Sequence, residues 1–459
     1  MKKNSLKLGK ARVQVTPPLG GILQGHISRN QPAWRVMDDL FVKVLLFETD
    51  EGRFVLVTAD LIEFSREFVE RVRADIHDLY GIPADRVMLC ASHTHTGPNM
   101  IRLCGISPDT DYISQLVKKI TGSIRFAERN LEEVTVSVGK GKTDKVGINR
   151  RVMTPKGIRQ QPNPEGTIDP EVGILRFDGR DGKPVAVIVN YSTHPTTIGV
   201  HVFEVSGDYP GRTQRIVESV YGKGMMVAFT QGAAGDVKAA AFDAAGNFKE
   251  GEEEDIEHLG RILAGEAIKT IENCRKIKAP QLKAKLKKVK FPFQKIPSRK
   301  ELEEWVRVHR AEIDKWKHPD EETRKGIDWE DKHINRVAMS EAKLFWAQHA
   351  LENLKKGNLL PYVEGEIQVF TFGREAALLG VPGELFCEIG LTIKAKSPFA
   401  ATFICGYTNG TLGYIPSRKA ISEGGYEVSD AYKMYDYPSC LHGDTKDLLY
   451  REVASLFLR

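Results

Sequence analysis

The sequence predicts an α/β fold, with mixed, partly parallel β-sheets flanked by helices and a charged helical insertion. Three observations predict it. Phe54-Val-Leu-Val-Thr58 is a continuous apolar, β-branched run, suited to a strand buried on both faces. A helix-period stretch and a second apolar run follow it, which is the grammar of a β-α-β unit, and the same grammar returns between Val185 and Phe229. Residues from about 298 to 356 then switch to a helical, heavily charged composition that interrupts the strands.

Each element has its own signal. Ser65 caps a helix whose apolar stripe is Phe68, Val69, Val72, Ile76 and Leu79; Gly81 ends it and Pro83 keeps it from restarting. Val87-Met-Leu-Cys90 is the next strand. Val185 to Val189 reads as a strand, Tyr209 to Tyr221 as a helix started by Pro210 and closed by Gly222, and Met226 to Phe229 as another strand. From Gln281 to Lys290, Leu282, Ala284 and Leu286 alternate with lysines, as in an edge strand protected by charge. The 298–356 insertion holds Trp305, Trp316, Trp329 and Trp346 and is expected to be a helical hairpin broken near Pro319. It docks an aromatic face on the main body and can shape a substrate entrance. Ala376 to Val381 and Thr402 to Tyr407 close the α/β part, and no repeat of fixed period occurs.

Composition narrows the function. A chain of 459 residues, 41% hydrophobic, can bury a full core, and a single domain over 1–459 is expected. Sixty-six basic against 61 acidic residues leave a formal charge of only +5, which argues against a nucleic-acid binder. No apolar run approaches the roughly 20 residues of a membrane helix. Lys2 and Lys3 are followed by no apolar signal core, so a cytoplasmic location is expected. Cys90, Cys104, Cys274, Cys387, Cys405 and Cys440 are scattered like ordinary thiols, not like a disulfide framework.

The chemistry gathers at strand ends. Ser92-His93-Thr94-His95-Thr96-Gly97-Pro98 directly follows the Val87 strand, and residues two apart on extended chain share a side, so His93 and His95 can converge. Open α/β sheets bind ligands at such carboxyl ends. His194 in Tyr191–Thr197, Glu384 in Pro382–Glu384 and Tyr414 in Thr408–Tyr414 occupy equivalent places after three further strands. Two histidines, a glutamate and a phenol form a nitrogen and oxygen set suited to a catalytic Zn2+ with room for water. Iron, manganese, or a second ion recruited by Asp208 or Asp236 stays open. Asp60, ending the Phe54 strand, is a candidate to orient a ligating histidine.

The chain resembles the catalytic, N-terminal domain of the neutral/alkaline non-lysosomal ceramidase family. The resemblance is carried by Ser92-His-Thr-His-Thr-Gly-Pro98, Ile148-Asn-Arg150, Thr193-His-Pro-Thr-Thr197, Gln231-Gly-Ala-Ala-Gly-Asp-Val237, Val381-Pro-Gly-Glu384 and Gly413-Tyr-Ile415, in the family's order. It implies a zinc-dependent amide hydrolase with His93, His194, Glu384 and Tyr414 on the metal. It places His95 beside the attacking water and the scissile group, with Arg150 and Tyr426 also in the active site. The chain departs from the family at Lys238, where the ceramidases carry a serine near the reacting amide; a long ammonium suits an anionic or polar substrate group better than ceramide. Neither a signal peptide nor the C-terminal immunoglobulin-like domain of the secreted members is read in the sequence. The expected partner is therefore a small-molecule amide, lipid-like or more soluble. Two other readings stand beside this one: a serine-type hydrolase using Ser92 or Ser192, although no G-x-S-x-G elbow occurs, and a non-catalytic metal-binding homologue.

Overall fold

Three parallel strand pairs set the architecture. Gly52–Ala59 runs parallel to Val87–Ala91, Pro184–Tyr191 to Met226–Gln231, and Ala376–Gly380 to Ala401–Cys405. The helices Arg66–Tyr80, Asp208–Tyr221 and Cys387–Ala395 lie within the three crossovers. The computed structural model describes residues 6–222, 224–318, 320 and 329–458; Lys2, Lys3, Pro319 and the Trp329 side chain lie outside them.

The larger sheet has nine strands and carries a parallel pair at each end. From Met226–Gln231 and Pro184–Tyr191 it passes through Glu171–Asp178, Glu132–Lys142, Leu6–Gln14 and Phe41–Thr49 to Gly52–Ala59 and Val87–Ala91. Arg275–Lys276 pairs beside Glu132–Lys142. The two end strands, Met226–Gln231 and Val87–Ala91, come into contact, so the sheet curls and brings both parallel pairs to one place. The second sheet is ordered Leu282–Pro292, Tyr362–Phe372, Ala376–Gly380, Ala401–Cys405.

The sheets pack face to face through Phe47, Phe54, Met88 and Phe177 on one and Phe370, Phe372 and Phe403 on the other. Helices cover the outer faces. Arg66–Tyr80 and Thr110–Arg129 cover the first sheet through Phe68, Val72, Leu116 and Ile120, while Cys387–Ala395 and Thr445–Phe457 cover the second through Ile389, Ile393, Leu449 and Val453. The result is helix, sheet, sheet, helix, each layer burying the apolar face of the next.

Local signals acted largely as read. Ser65 Oγ accepts from the Phe68 N–H, and Gly81 closes the helix at φ +67°. Leu79, however, is 60% exposed; the inner stripe ends at Ile76. The second crossover helix begins at Asp208, so Pro210 lies inside its first turn. Leu282–Pro292 is an edge strand. The insertion forms Arg299–Lys317, capped by Ser298 and Glu301, packed against Trp329–Lys356. Trp346 anchors it: the ring is 1% exposed and its Nε1–H donates to Tyr437 O at 2.7 Å.

Candidate functional site

His93 leaves the Val87–Ala91 strand in a left-handed conformation, φ +70°, with its ring stacked on Tyr407 at 3.9 Å. That conformation costs a non-glycine residue roughly 1–3 kcal/mol, and such strain collects at working sites. Burial between two sheets holds it in place; the side chain is 1% exposed. His194 leaves Pro184–Tyr191, with its N–H donating to Val237 O at 3.1 Å. Glu384 opens the two-residue strand Glu384–Leu385, which pairs in parallel with Tyr414–Ile415 and sets Glu384 beside Tyr414. Gly235 makes this approach feasible, because a Cβ there would stand 2.4 Å from the Glu384 carbonyl oxygen.

The donor atoms converge. His93 Nε2 is 3.1 Å from His194 Nε2 and 3.1 Å from His95 Nε2. Glu384 Oε2 lies 2.9 Å from His194 Nε2 and 3.4 Å from His93 Nε2. On the far side of each ring, Nδ1 of His93 is 2.8 Å from Ile62 O, and Nδ1 of His194 is 2.8 Å from Ala234 O. A carbonyl can only accept, so each Nδ1 carries the hydrogen and each Nε2 presents a lone pair inward. Two such lone pairs and a carboxylate facing one another at about 3 Å repel unless a cation lies among them. Ligands 2.0–2.1 Å from a tetrahedral zinc sit roughly 3.3 Å apart, which is the spacing found here. Glu384 Oε2 is also buried without any hydrogen-bond donor. The residues therefore fit a metal ion.

The electrostatics agree. Burial, then the neighbouring Arg150, lowers His194 to about 4. Burial first, then the neighbouring His93, His26, His194 and Arg29, holds His95 well below its ordinary value. Both rings are free bases at neutral pH, as metal-binding imidazoles must be.

The other expected residues assemble around this point. Arg150 Nη2 donates to Tyr414 Oη at 2.8 Å and to Gly235 O at 2.9 Å, and its Nε donates to Glu427 at 3.0 Å. The Tyr414 ring lies parallel to His194, with centroids 6.4 Å apart, and Tyr426 meets Tyr414 edge-on at 6.0 Å. His93, His95, Arg150, Lys238, Glu384, Tyr414 and Tyr426 all line one cavity of about 380 Å³, within the range of small-molecule sites. The hairpin reaches the same cavity with Met339. His95, placed by the sequence beside the reacting group, contributes a third nitrogen to the histidine cluster; the three rings' ligand atoms lie within 4.8 Å of one another.

Some expectations need correction. Asp60 orients no histidine: its oxygens accept from Gln214 at 2.9 Å and from the Phe41 N–H at 3.0 Å, and backbone carbonyls orient the rings instead. Asp208 is engaged by Thr197 and the Tyr209 N–H, and Asp236 by the Cys387 N–H and Asn149, so each is committed to the protein instead of to a second ion. Ser92 Oγ is buried without a hydrogen-bond partner, so no base activates it. Sequence reasoning missed His26, whose ring meets His95 edge-on at 5.2 Å, and Tyr435, whose Oη donates to Glu384 Oε1 at 2.6 Å. It also missed the role of Glu427, which pairs with both Arg150 and Arg151. Single polar residues in irregular segments carry no periodic signal; Glu427 stood beside Tyr426 and was legible only as a neighbour.

A layered α/β protein with buried imidazoles and a carboxylate at the carboxyl ends of its parallel strands has the donor set of a metal-binding site. Residues 6–285 match the neutral/alkaline non-lysosomal ceramidase N-terminal family, and the chain belongs to that family. Neutral ceramidase 1 of Arabidopsis thaliana is 25% identical over 231 residues, 47% of this chain and 29% of that protein. Neutral ceramidase A of Dictyostelium discoideum is 25% identical over 218 residues, 42% of this chain and 30% of that protein. The matched stretch thus spans less than a third of either relative. The neutral ceramidase structure from Pseudomonas aeruginosa shares the fold with a TM-score of 0.74 at 18% identity, covering 100% of this chain and 74% of that one.

Proposed function

We propose that the protein is a zinc-dependent amidohydrolase that cleaves a small amide more soluble than ceramide. The observation that carries this reading is the facing of His93 Nε2, His194 Nε2 and Glu384 Oε2 at 2.9–3.4 Å with both Nδ1 atoms tied to carbonyls. His93, His194 and Glu384 hold the ion, with Tyr414 as the fourth ligand that the family resemblance supplies. A zinc ion there supplies Lewis acidity and a water that ionises near neutral pH.

The chain's own groups do the rest. Water adds to the carbonyl carbon, the C–N bond breaks, and a carboxylate and an amine leave. Arg150, locked by Glu427 and Gly235, presents fixed positive charge where the carbonyl oxygen gains negative charge. His95, a free base whose Nε2 faces the histidine cluster, is suited to take a proton from the water and return it to the departing nitrogen. Tyr426, whose phenol burial pushes well up, stays protonated and can donate. Placement in the cytoplasm belongs to the same proposal.

The test is turnover of a panel of short N-acyl amides by protein purified without added metal. Hydrolysis should disappear with a chelator and return with zinc. Activity that survives complete metal removal contradicts the reading.

A further inference from the structure

The catalytic cavity has walls of two kinds. Leu103, Cys104, Met339 and Met434 supply an apolar part, drawn from the loop after His95, the helical hairpin and the short helix Ala431–Met434. Cys104 and Met434 are joined by a backbone hydrogen bond of 2.8 Å and a sulfur contact of 3.5 Å. The polar part comes from the small sheet in which Val237–Ala239 pairs antiparallel with Gly147–Thr154, carrying Lys238 and Arg150.

Charge on the polar part does not balance. Glu427 is shared between Arg150 and Arg151. Arg29, behind His95, donates to the carbonyls of His95 and Gly199. Among the described residues, no carboxylate comes within 4 Å of the Arg29 guanidinium or the Lys238 ammonium; Glu250 acts on both, but only at longer range and from a half-exposed position. Lys238 rests its Nζ 4.8 Å from the Phe248 ring centroid, a contact that positions a cation without neutralising it. Glu384, the acidic residue lining the cavity, belongs to the metal site. A half-buried lysine with no carboxylate in contact, on the wall of a ligand-sized cavity, lacks the close partner that would offset its desolvation.

We infer that the missing counter-ion is the substrate: an N-acyl compound whose amine half carries an anionic group, held by Lys238, with the acyl group against Leu103, Met339 and Met434. This rests on the hydrolase reading above and specifies its substrate class. The anion can be a carboxylate or a sulfonate, because an ammonium point charge has no fork geometry to choose between them.

The experiment compares N-hexanoylglycine, N-hexanoyltaurine and the neutral N-hexanoylglycinamide. For each of wild type, Lys238→Met and Lys238→Arg, it reads the ratio of kcat/KM for anionic over neutral substrate, and by calorimetry the ratio of affinities. Using ratios removes any loss of folded protein. Wild type should favour an anionic member by roughly ten- to a hundredfold, the worth of a hydrogen bond to a charged group. Lys238→Met should bring the ratio near one, and Lys238→Arg should keep it. Glycine against taurine derivatives identifies which anion fits. A wild-type ratio of one, or a ratio unchanged in Lys238→Met, overturns the inference. If no amide turns over, the calorimetric ratio still decides it, and the hydrolase reading alone fails.

Discussion

The strand-end histidines and the helical hairpin both serve one cavity, but different forces hold them. His93 and His194 follow the Val87–Ala91 and Pro184–Tyr191 strands of the larger sheet, Glu384 follows Ala376–Gly380 of the second and pairs beside Tyr414, and each is at most 2% exposed. Their positions follow from the core, so they move only if the core does. The hairpin has a small core of its own, Leu302, Trp346, Ala347 and Ala350, and docks on residues 430–437 through Trp346, through Lys343 to Asp430 at 2.7 Å and through His349 to Asp436 at 2.5 Å. That segment also supplies Met434 and Tyr435 to the cavity. The contrast teaches that chemistry is placed on the rigid layer, while the shape of the cavity depends on a separately docked element.

The sharpest way to stress the rigid side is Glu427→Gln. It leaves the buried Arg150 guanidinium without its paired carboxylate and Arg151 with only the more distant Glu423 at 3.7 Å, a loss of about 3–5 kcal/mol. A urea midpoint should fall accordingly, and kcat should fall with it as Arg150 loses its anchor. A change under about 1 kcal/mol shows that the pair is not what fixes Arg150.

The docked side is tested by Trp346→Ala. Truncating a buried tryptophan costs about 3–5 kcal/mol locally, enough to release a peripheral element. Hydrogen exchange should rise across residues 299–317 and 335–356, the main melting transition should move less, and KM should rise more than kcat falls. An equal loss of protection in Val87–Ala91 would show that the hairpin and core unfold together.

The same contrast governs what the sequence could tell. The Phe54 and Val87 strands, the Ser65 cap and the Gly81 stop were legible because buried parallel strands and helix ends leave local marks. His93, His194, Glu384 and Tyr414 were legible because each follows such a strand, and Lys238 because it interrupts a familiar motif. Leu6–Gln14 pairs antiparallel with Phe41–Thr49 and Glu132–Lys142 across long sequence gaps, and only tertiary context fixes that register. Glu427 sits in the one-turn helix Tyr426–Ser429, Tyr435 at the end of Ala431–Met434 and His26 in a loop, all too short for a period to be read. The family match itself ends at residue 285, short of Glu384 and Tyr414.

The central claim is that His93, His194 and Glu384 hold one metal ion. X-ray absorption on protein purified without added metal, beside metal content of wild type and His194→Ala, tests it most directly. The account predicts about one zinc per chain with nitrogen and oxygen ligands at roughly 2.0–2.2 Å, lost in His194→Ala while the circular dichroism spectrum is unchanged. Metal-free wild-type protein that still hydrolyses amides, or zinc retained in full by His194→Ala, would contradict it.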